Sequence, residues 1–236
     1  MQEGEVKGAL LLDWHGSLTE CEAFRQGWFH VQGQSSQLAC AALDAGEHQK
    51  VVDLCAAPGG KSALLAQKMN NTGTLFCRDV SQSRVRLIEE TLQRLGVTNA
   101  QVQAGDASVW DETLANADRV LCDVPCSGLG TLAKKPDVRC KSLDGLETLT
   151  QLQARILETG AGYVKPGGIL VYSTCTVNPD ENECVVRDFL NRHPEFEVRH
   201  FDAPEWARQT PEGVLVCPPC AQADGFFIAK LQKRLQ

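Results

Sequence analysis

Residues 51–62, Val-Val-Asp-Leu-Cys-Ala-Ala-Pro-Gly-Gly-Lys-Ser, change periodicity within one short stretch, and that change limits what the chain can fold into. Val51, Val52 and Leu54 form a β-branched apolar run suited to a buried strand. Pro58-Gly59-Gly60 then forces a turn, and from Lys61 to Met69 apolar residues return at helical spacing as Leu64, Leu65 and Met69. Such a strand, turn and helix is the opening unit of a parallel α/β sheet. Its turn lies at the strand's C-terminal end, where open sheets bind ligands and the first N–H groups of the next helix favour an anionic or polar group.

Taken alone, a glycine turn can be purely structural. Two further strands change the weight of that reading. Residues 73–78 read as a strand ending in Asp79, placed to accept hydrogen bonds from ribose hydroxyls, and residues 100–104 as a strand ending in Gly105-Asp106. Three consecutive strands thus finish in a carboxylate or a glycine turn.

With its later runs Asp-Val-Pro-Cys-Ser-Gly-Leu-Gly-Thr (123–131) and Ser-Thr-Cys-Thr (173–176), the chain resembles the RNA cytosine-5 methyltransferases, most closely the Sun/Fmu/RsmB branch. The resemblance extends from about Phe24 to the C-terminus. It implies a Rossmann-like class I α/β fold, with a mostly parallel seven-stranded sheet and helices on both faces. It also implies an S-adenosylmethionine (SAM) pocket. Cys55, Ala56, Ala57, Pro58, Gly59, Gly60 and Lys61 would wrap the amino-acid end of the cofactor, Asp79 would take the ribose and Asp106 the adenine edge. Asp123 and Arg84 border the same pocket, Arg84 lying one turn into the helix that follows Asp79.

Composition is that of an ordinary globular chain of 236 residues, with 43% hydrophobic and 22% charged residues. No segment is apolar for long enough to cross a membrane, and no basic, then apolar leader opens the sequence. A cytoplasmic protein with reduced thiols is expected. Most of the eleven cysteines, Cys40, Cys77 and Cys122 among them, read as small core residues, and Cys217-Pro-Pro-Cys220 reads as a loop; no metal site is expected. The net charge of −7 opposes strong RNA affinity, which depends on Lys and Arg against phosphates. Full-length members of the resembled family carry a separate NusB-like RNA-binding domain, and nothing in this chain resembles it. A catalytic domain over residues 32–236, behind a remnant of a small β-containing extension over residues 1–31, is the expected organisation.

Along the chain, residues 8–12 and 27–31 read as two short strands, with Trp14 and Trp28 as core. Residues 32–45 read as a helix capped by Ser35, although Gly33 and Gln34 stand where the family carries an acidic pair. Ser81–Leu95 is an amphipathic helix burying Val85, Ile88, Leu92 and Leu95, with Arg84, Arg86 and Arg94 on its solvated parts. Residues 119–122 form a fourth strand. Residues 146–164 are a long helix, followed by a turn at Lys165–Gly168 and a fifth strand over residues 169–173. Asn178 and Pro179 open a helix to Arg192, and residues 196–201 and 224–231 close the sheet.

Two cysteines compete for a nucleophile's role. Asp123 and Cys126 lie within one turn of each other at the ligand edge of the sheet, and Cys175 sits just before a helix whose positive end favours a thiolate. Carbon 5 of cytosine is a poor nucleophile, and a thiolate adding at carbon 6 activates it. The resemblance assigns that addition to Cys175 and product release to Cys126, with Asp123 as the candidate acid on the ring's N3–O2 side, for which its pKa would have to be raised. Lys134, Lys135 and Arg139, with Lys141, form the chain's basic cluster beside the Cys126 loop and are the candidate RNA contacts. A target base must leave its stack, so single-stranded or loop RNA is expected, rRNA before tRNA. A dinucleotide-binding oxidoreductase lacks its G-x-G-x-x-G here, and a non-catalytic SAM- or RNA-binding module leaves the three reactive side chains without a task.

Overall fold

The computed structural model describes residues 2–140, 144–217 and 223–235. Lys141 of the basic cluster and Cys220 of the Cys-Pro-Pro-Cys run lie outside the described residues, and Arg139 is described only in its backbone.

The N-terminal segment forms a small hairpin, β1 (Gln2–Glu3) against β2 (Leu10–Leu11), followed by the short helix α1 (Glu22–Arg25). The expected strand at residues 27–31 is absent. Two-residue strands offer no sheet face to bury aromatic rings, so Trp28 is 76% and Trp14 45% exposed rather than core. This segment is fastened by Arg94 instead. Its guanidinium lies 3.9 Å from the centre of the Phe24 ring and donates to the carbonyls of Phe24 and Phe29, so Arg94 is no free surface cation.

Helix α2 (Gln34–Leu43) starts at Gly33, not Ser35. Ser35 is buried in the first turn, and its hydroxyl donates to the Asp224 carbonyl at 2.7 Å, which removes it from capping. The main sheet then builds from β3 (Lys50–Asp53), α3 (Gly60–Lys68), β4 (Thr74–Asp79), α4 (Gln82–Arg94), β5 (Ala100–Ala104) and β6 (Ala117–Asp123). It continues through α5 (Leu146–Tyr163), β7 (Val164–Thr174), α6 (Glu183–Arg192), β8 (Phe196–Val198), β9 (Ala207–Gln209), β10 (Val214–Val216) and β11 (Phe226–Lys233). The strand order is β5-β4-β3-β6-β7-β11-β10-β9, with β8 also on β11. Strands β3 to β7 are mutually parallel, and β11 runs antiparallel to β7.

Residues alternate between the two faces as strand geometry requires. Val51, Leu121 and Val171 pack into one layer with Leu38, Leu65 and Ile88 of α2, α3 and α4. Val52, Cys122 and Tyr172 pack into the other with Ile156, Leu157 and Phe189 of α5 and α6. Cys40, Cys77 and Cys122 are fully buried core residues.

Three further expectations need correction. The sheet has nine strands, not seven, because the hairpin β9–β10 adds to β11. Strand β7 begins at Val164, since Val164 pairs with Ala117 and the Lys165–Gly168 turn is taken up as a register shift. Finally, the helix expected from Pro179 to Arg192 breaks at Asn182 (φ −114°, ψ −101°) into a 3-10 turn, Pro179–Glu181, and α6.

Candidate active site

The chain crosses from β3 through α3 to β4 on one side, then returns after β5 to β6 on the other side of β3. That reversal opens a cleft beyond the strands' C-terminal ends. Asp53, Asp79 and Asp123 end three of those strands, Asp106 follows a fourth by two residues, and Cys175 directly follows β7.

The loop Cys55–Gly60 is fastened on two sides. Ala56 N donates to the Arg78 carbonyl (2.8 Å), the Arg84 guanidinium to the Ala57 carbonyl (3.4 Å) and the Thr91 hydroxyl to the Pro58 carbonyl (2.9 Å). Gly59 has φ +103°, and a Cβ there would lie 3.1 Å from Thr91 Cβ and 3.2 Å from Ile88 Cα, so only glycine fits. Cys55 packs in this loop with its thiol pKa raised by burial. Gly60 opens α3 beneath the His30 ring.

Asp79 is 2% exposed, accepts from Ser81 N (3.2 Å) and lies 3.5 Å from the Arg84 guanidinium. Beside it, Val80 presents an exposed apolar side chain. Asp106 is exposed and accepts from the hydroxyl and N–H of Ser108, which hold its pKa below the usual carboxylate range.

Across the cleft, Asp123 accepts from Lys61 Nζ and from Ser173 Oγ, both at 2.7 Å. Both neighbours are donors to the carboxylate, and the Lys61 ammonium brings a proton to this point of the cleft. Burial opposes the charge on Lys61, but the Asp123 carboxylate more than offsets it and the pKa is raised. The two candidate thiols meet here, with Cys126 Sγ 3.1 Å from Cys175 Sγ. The hydrogen bond from Cys126 lowers the pKa of Cys175, with Lys61 and Lys135 adding to it against burial and Asp123. The same bond, with burial, raises the pKa of Cys126. The helix expected to open beside Cys175 is set back, with a 3-10 turn over Pro179–Glu181 and α6 only from Glu183. The hydrogen bond with the partner thiol lies closer to the sulfur.

Of the basic cluster, Lys134 is ion-paired with Asp224 at 2.8 Å, while Lys135 is exposed. Two groups escaped the sequence reading. Asp53 is fully buried, accepts from Ser62 Oγ (2.7 Å) and has its pKa pushed up to about 7 by burial. Glu181, also fully buried, accepts from Ser127 and Gln153. In sequence, Glu181 looks like any acid in a helix's first turn, and nothing in Pro179-Asp180-Glu181 signals burial.

This sheet, with its carboxylate-lined switch point, is that of the SAM-dependent methyltransferases. A SAM-dependent O-methyltransferase from Thermotoga maritima shares the fold alone, at 18% identity and TM-score 0.54, over 88% of this chain and 67% of that one. Closer in sequence is NSun6 from Pyrococcus horikoshii, solved with SFG, at 31% identity and TM-score 0.84, over 94% of this chain and 57% of that one. A family model described as 16S rRNA methyltransferase RsmB/F matches residues 40–232, and the chain belongs to that family. It is 39% identical to the probable ribosomal RNA small subunit methyltransferase B of Bacillus subtilis, over 93% of this chain and 51% of the relative. It is 35% identical to a mouse 28S rRNA (cytosine-C(5))-methyltransferase, over 88% of this chain and 28% of the relative. The chain spans about half the length of the curated bacterial relatives it matches.

The cleft fits SAM on chemical grounds. Asp79 offers acceptors to vicinal hydroxyls, Val80 offers apolar surface to a flat ring, and a rim of carboxylates suits a ligand carrying sulfonium and ammonium charges. Among the described residues, no group of three His, Cys, Asp or Glu side chains is placed to hold a metal, and no helix is long and apolar enough to cross a membrane.

Proposed function

We propose that this chain methylates carbon 5 of a cytosine in small-subunit rRNA, using SAM and a transient bond between Cys175 and cytosine carbon 6. The observation that carries this reading is the 3.1 Å contact between Cys126 and Cys175, beside the Lys61–Asp123 pair. One sulfur of such a pair is a thiolate-prone nucleophile and the other a donor to it.

The bound cofactor supplies an electrophilic methyl group. Residues 55–60 and Asp79 would hold it, while Arg84 steadies the loop through Ala57 and Asp79 and the Lys61 side chain reaches past the loop to Asp123. Cys175 adds to carbon 6, which moves ring electrons to carbon 5 and negative charge to the N3–O2 side. The Lys61 ammonium, aimed by Asp123, is the donor available for that charge. After methyl transfer, the carbon-5 proton leaves to solvent and the carbon 6–sulfur bond breaks, returning its electrons to Cys175. Cys126 assists that departure by donating its S–H hydrogen bond to the leaving sulfur.

Lys135, with Arg139, guides the RNA strand along the rim; Lys134 joins them only by giving up Asp224. With a net charge of −7, the isolated chain binds RNA weakly. The test is to incubate the chain with radiolabelled SAM and unmodified small-subunit rRNA, digest the RNA and identify the labelled nucleoside. Label in 5-methylcytidine is the expected result; label in any other nucleoside overturns it.

A further inference from the structure

Each candidate thiol is held by both of its sequence neighbours, and every one of those ties converges on Glu181 and Asn182. Ser127, which follows Cys126, donates its N–H to Glu181 Oε2 (2.8 Å) and its hydroxyl to Oε1 (2.5 Å). Pro125, which precedes Cys126, accepts from Gln153 Nε2 (2.9 Å), and the same nitrogen donates to Glu181 Oε2 (3.0 Å). On the other strand end, Thr174 donates to Asn182 Oδ1 (2.5 Å), and Asn182 Nδ2 donates to the Thr176 carbonyl (3.1 Å). The Thr176 and Ser127 hydroxyls, 2.9 Å apart, close the ring. The Tyr172 hydroxyl fixes the Glu181 backbone from below, donating to its carbonyl at 2.6 Å.

Glu181 is fully buried, yet these partners of its carboxylate are neutral donors. Burying a carboxylate is a costly way to fill space. Its chemical merit is that it accepts several hydrogen bonds at once, from two segments that lie far apart in sequence. The break at Asn182 is what turns Glu181 inward from the 3-10 turn while α6 runs on.

We propose that Glu181 is a positioning residue: its carboxylate clamps the Cys126 loop against the β7 end and so keeps the two thiols in hydrogen-bond contact. The inference rests on the reading of these thiols as the reacting pair, but its test does not require methyl transfer. Glu181→Ala removes the acceptors. Glu181→Gln keeps an acceptor for Ser127 N and Gln153, and its amide can donate to the Ser127 hydroxyl, which turns toward Thr176.

The readout is oxidation by diamide: both thiols lose hydrogen, a Cys126–Cys175 bond forms and diamide is reduced to its hydrazine, followed by mass mapping of the peptides. A second readout is the pH dependence of Cys175 alkylation by iodoacetamide. Glu181→Ala should slow disulfide formation by about tenfold or more and shift the alkylation midpoint upward, as expected for loss of several hydrogen bonds at a buried acceptor. Its kcat should fall with the KM for SAM unchanged. Glu181→Gln should restore all three. Should Glu181→Ala fail to fold, Ser127→Ala, which removes the hydroxyl bond alone, should show a smaller shift in the same direction. Wild-type oxidation and alkylation in Glu181→Ala, or in Ser127→Ala where that variant stands in, overturn the proposal, as does a Glu181→Gln that behaves like Glu181→Ala. If the thiol readouts respond while the wild type methylates nothing, the clamp stands and the methyl-transfer reading fails.

Discussion

The two walls of the cleft are built by different means. The cofactor wall, at the ends of β3 to β5, is local: a strand, a turn and a helix from one continuous stretch, with Asp79 and Asp106 each at or just beyond the end of the next strand. The thiol wall is assembled at long range, from the ends of β6 and β7, the middle of α5 and the 3-10 turn after Cys175. The difference sets up a division that substitutions can test, with affinity on one wall and reactivity on the other. One wall follows from the order of residues in one stretch, and the other needs side chains from distant segments to meet.

If the walls are separate in function, substitutions should sort by wall. The largest effect is expected where the walls meet, at Lys61, which stands on α3 of the cofactor wall and reaches Asp123 at the end of β6. Lys61→Met removes the charge that Asp123 aims, and kcat for methylation should fall by about two orders of magnitude, as for loss of a donor to developing negative charge. SAM affinity, read by calorimetry, should change far less. On the cofactor wall, Asp79→Ala should weaken SAM binding by about 10- to 100-fold, the range for a hydrogen bond to a charged group. It should leave the pH dependence of Cys175 alkylation unchanged. An Asp79 variant that shifts Cys175, or a Lys61 variant that loses only cofactor affinity, would break the division.

Smaller effects sharpen it. Asp53 has its pKa raised from 3.8 to about 7, so between those values the folded chain binds more protons than the unfolded one. Stability should therefore fall as pH rises from about 4 to about 7 and level off above it. In Asp53→Asn, melting temperatures across that window should decline less than in the wild type. The smallest effect is expected at the rim. Lys135→Ala should lower RNA affinity and reduce the salt slope by about one, while Lys134→Ala changes it less because that ammonium is already paired with Asp224.

The legibility of the sequence follows the same division. The strand ending in Asp53, the turn at Gly59 and the helix from Gly60 could be read from residue order, because periodicity and turn chemistry are local. So could Asp79, Cys126 and Cys175 as strand-end residues. Hidden from it was everything that depends on a distant partner. The 3.1 Å contact of two cysteines 49 positions apart was one such feature, and the pairing of Lys134 with Asp224 was another. The hairpin β9–β10 was missed because each strand has three residues, too few for a period to register. Trp14 and Trp28 misled because a large ring is usually core, and here the N-terminal segment gives it no sheet to lie against.

The most direct measurement is of the covalent step itself. Wild type, Cys126→Ala and Cys175→Ala would each be incubated with SAM and unmodified small-subunit rRNA, and protein–RNA adducts resolved on a denaturing gel. With Cys175 adding and Cys126 assisting release, Cys126→Ala should accumulate a persistent adduct and Cys175→Ala none. An adduct trapped by Cys175→Ala and absent from Cys126→Ala would contradict the account, since the two sulfurs would then have exchanged roles.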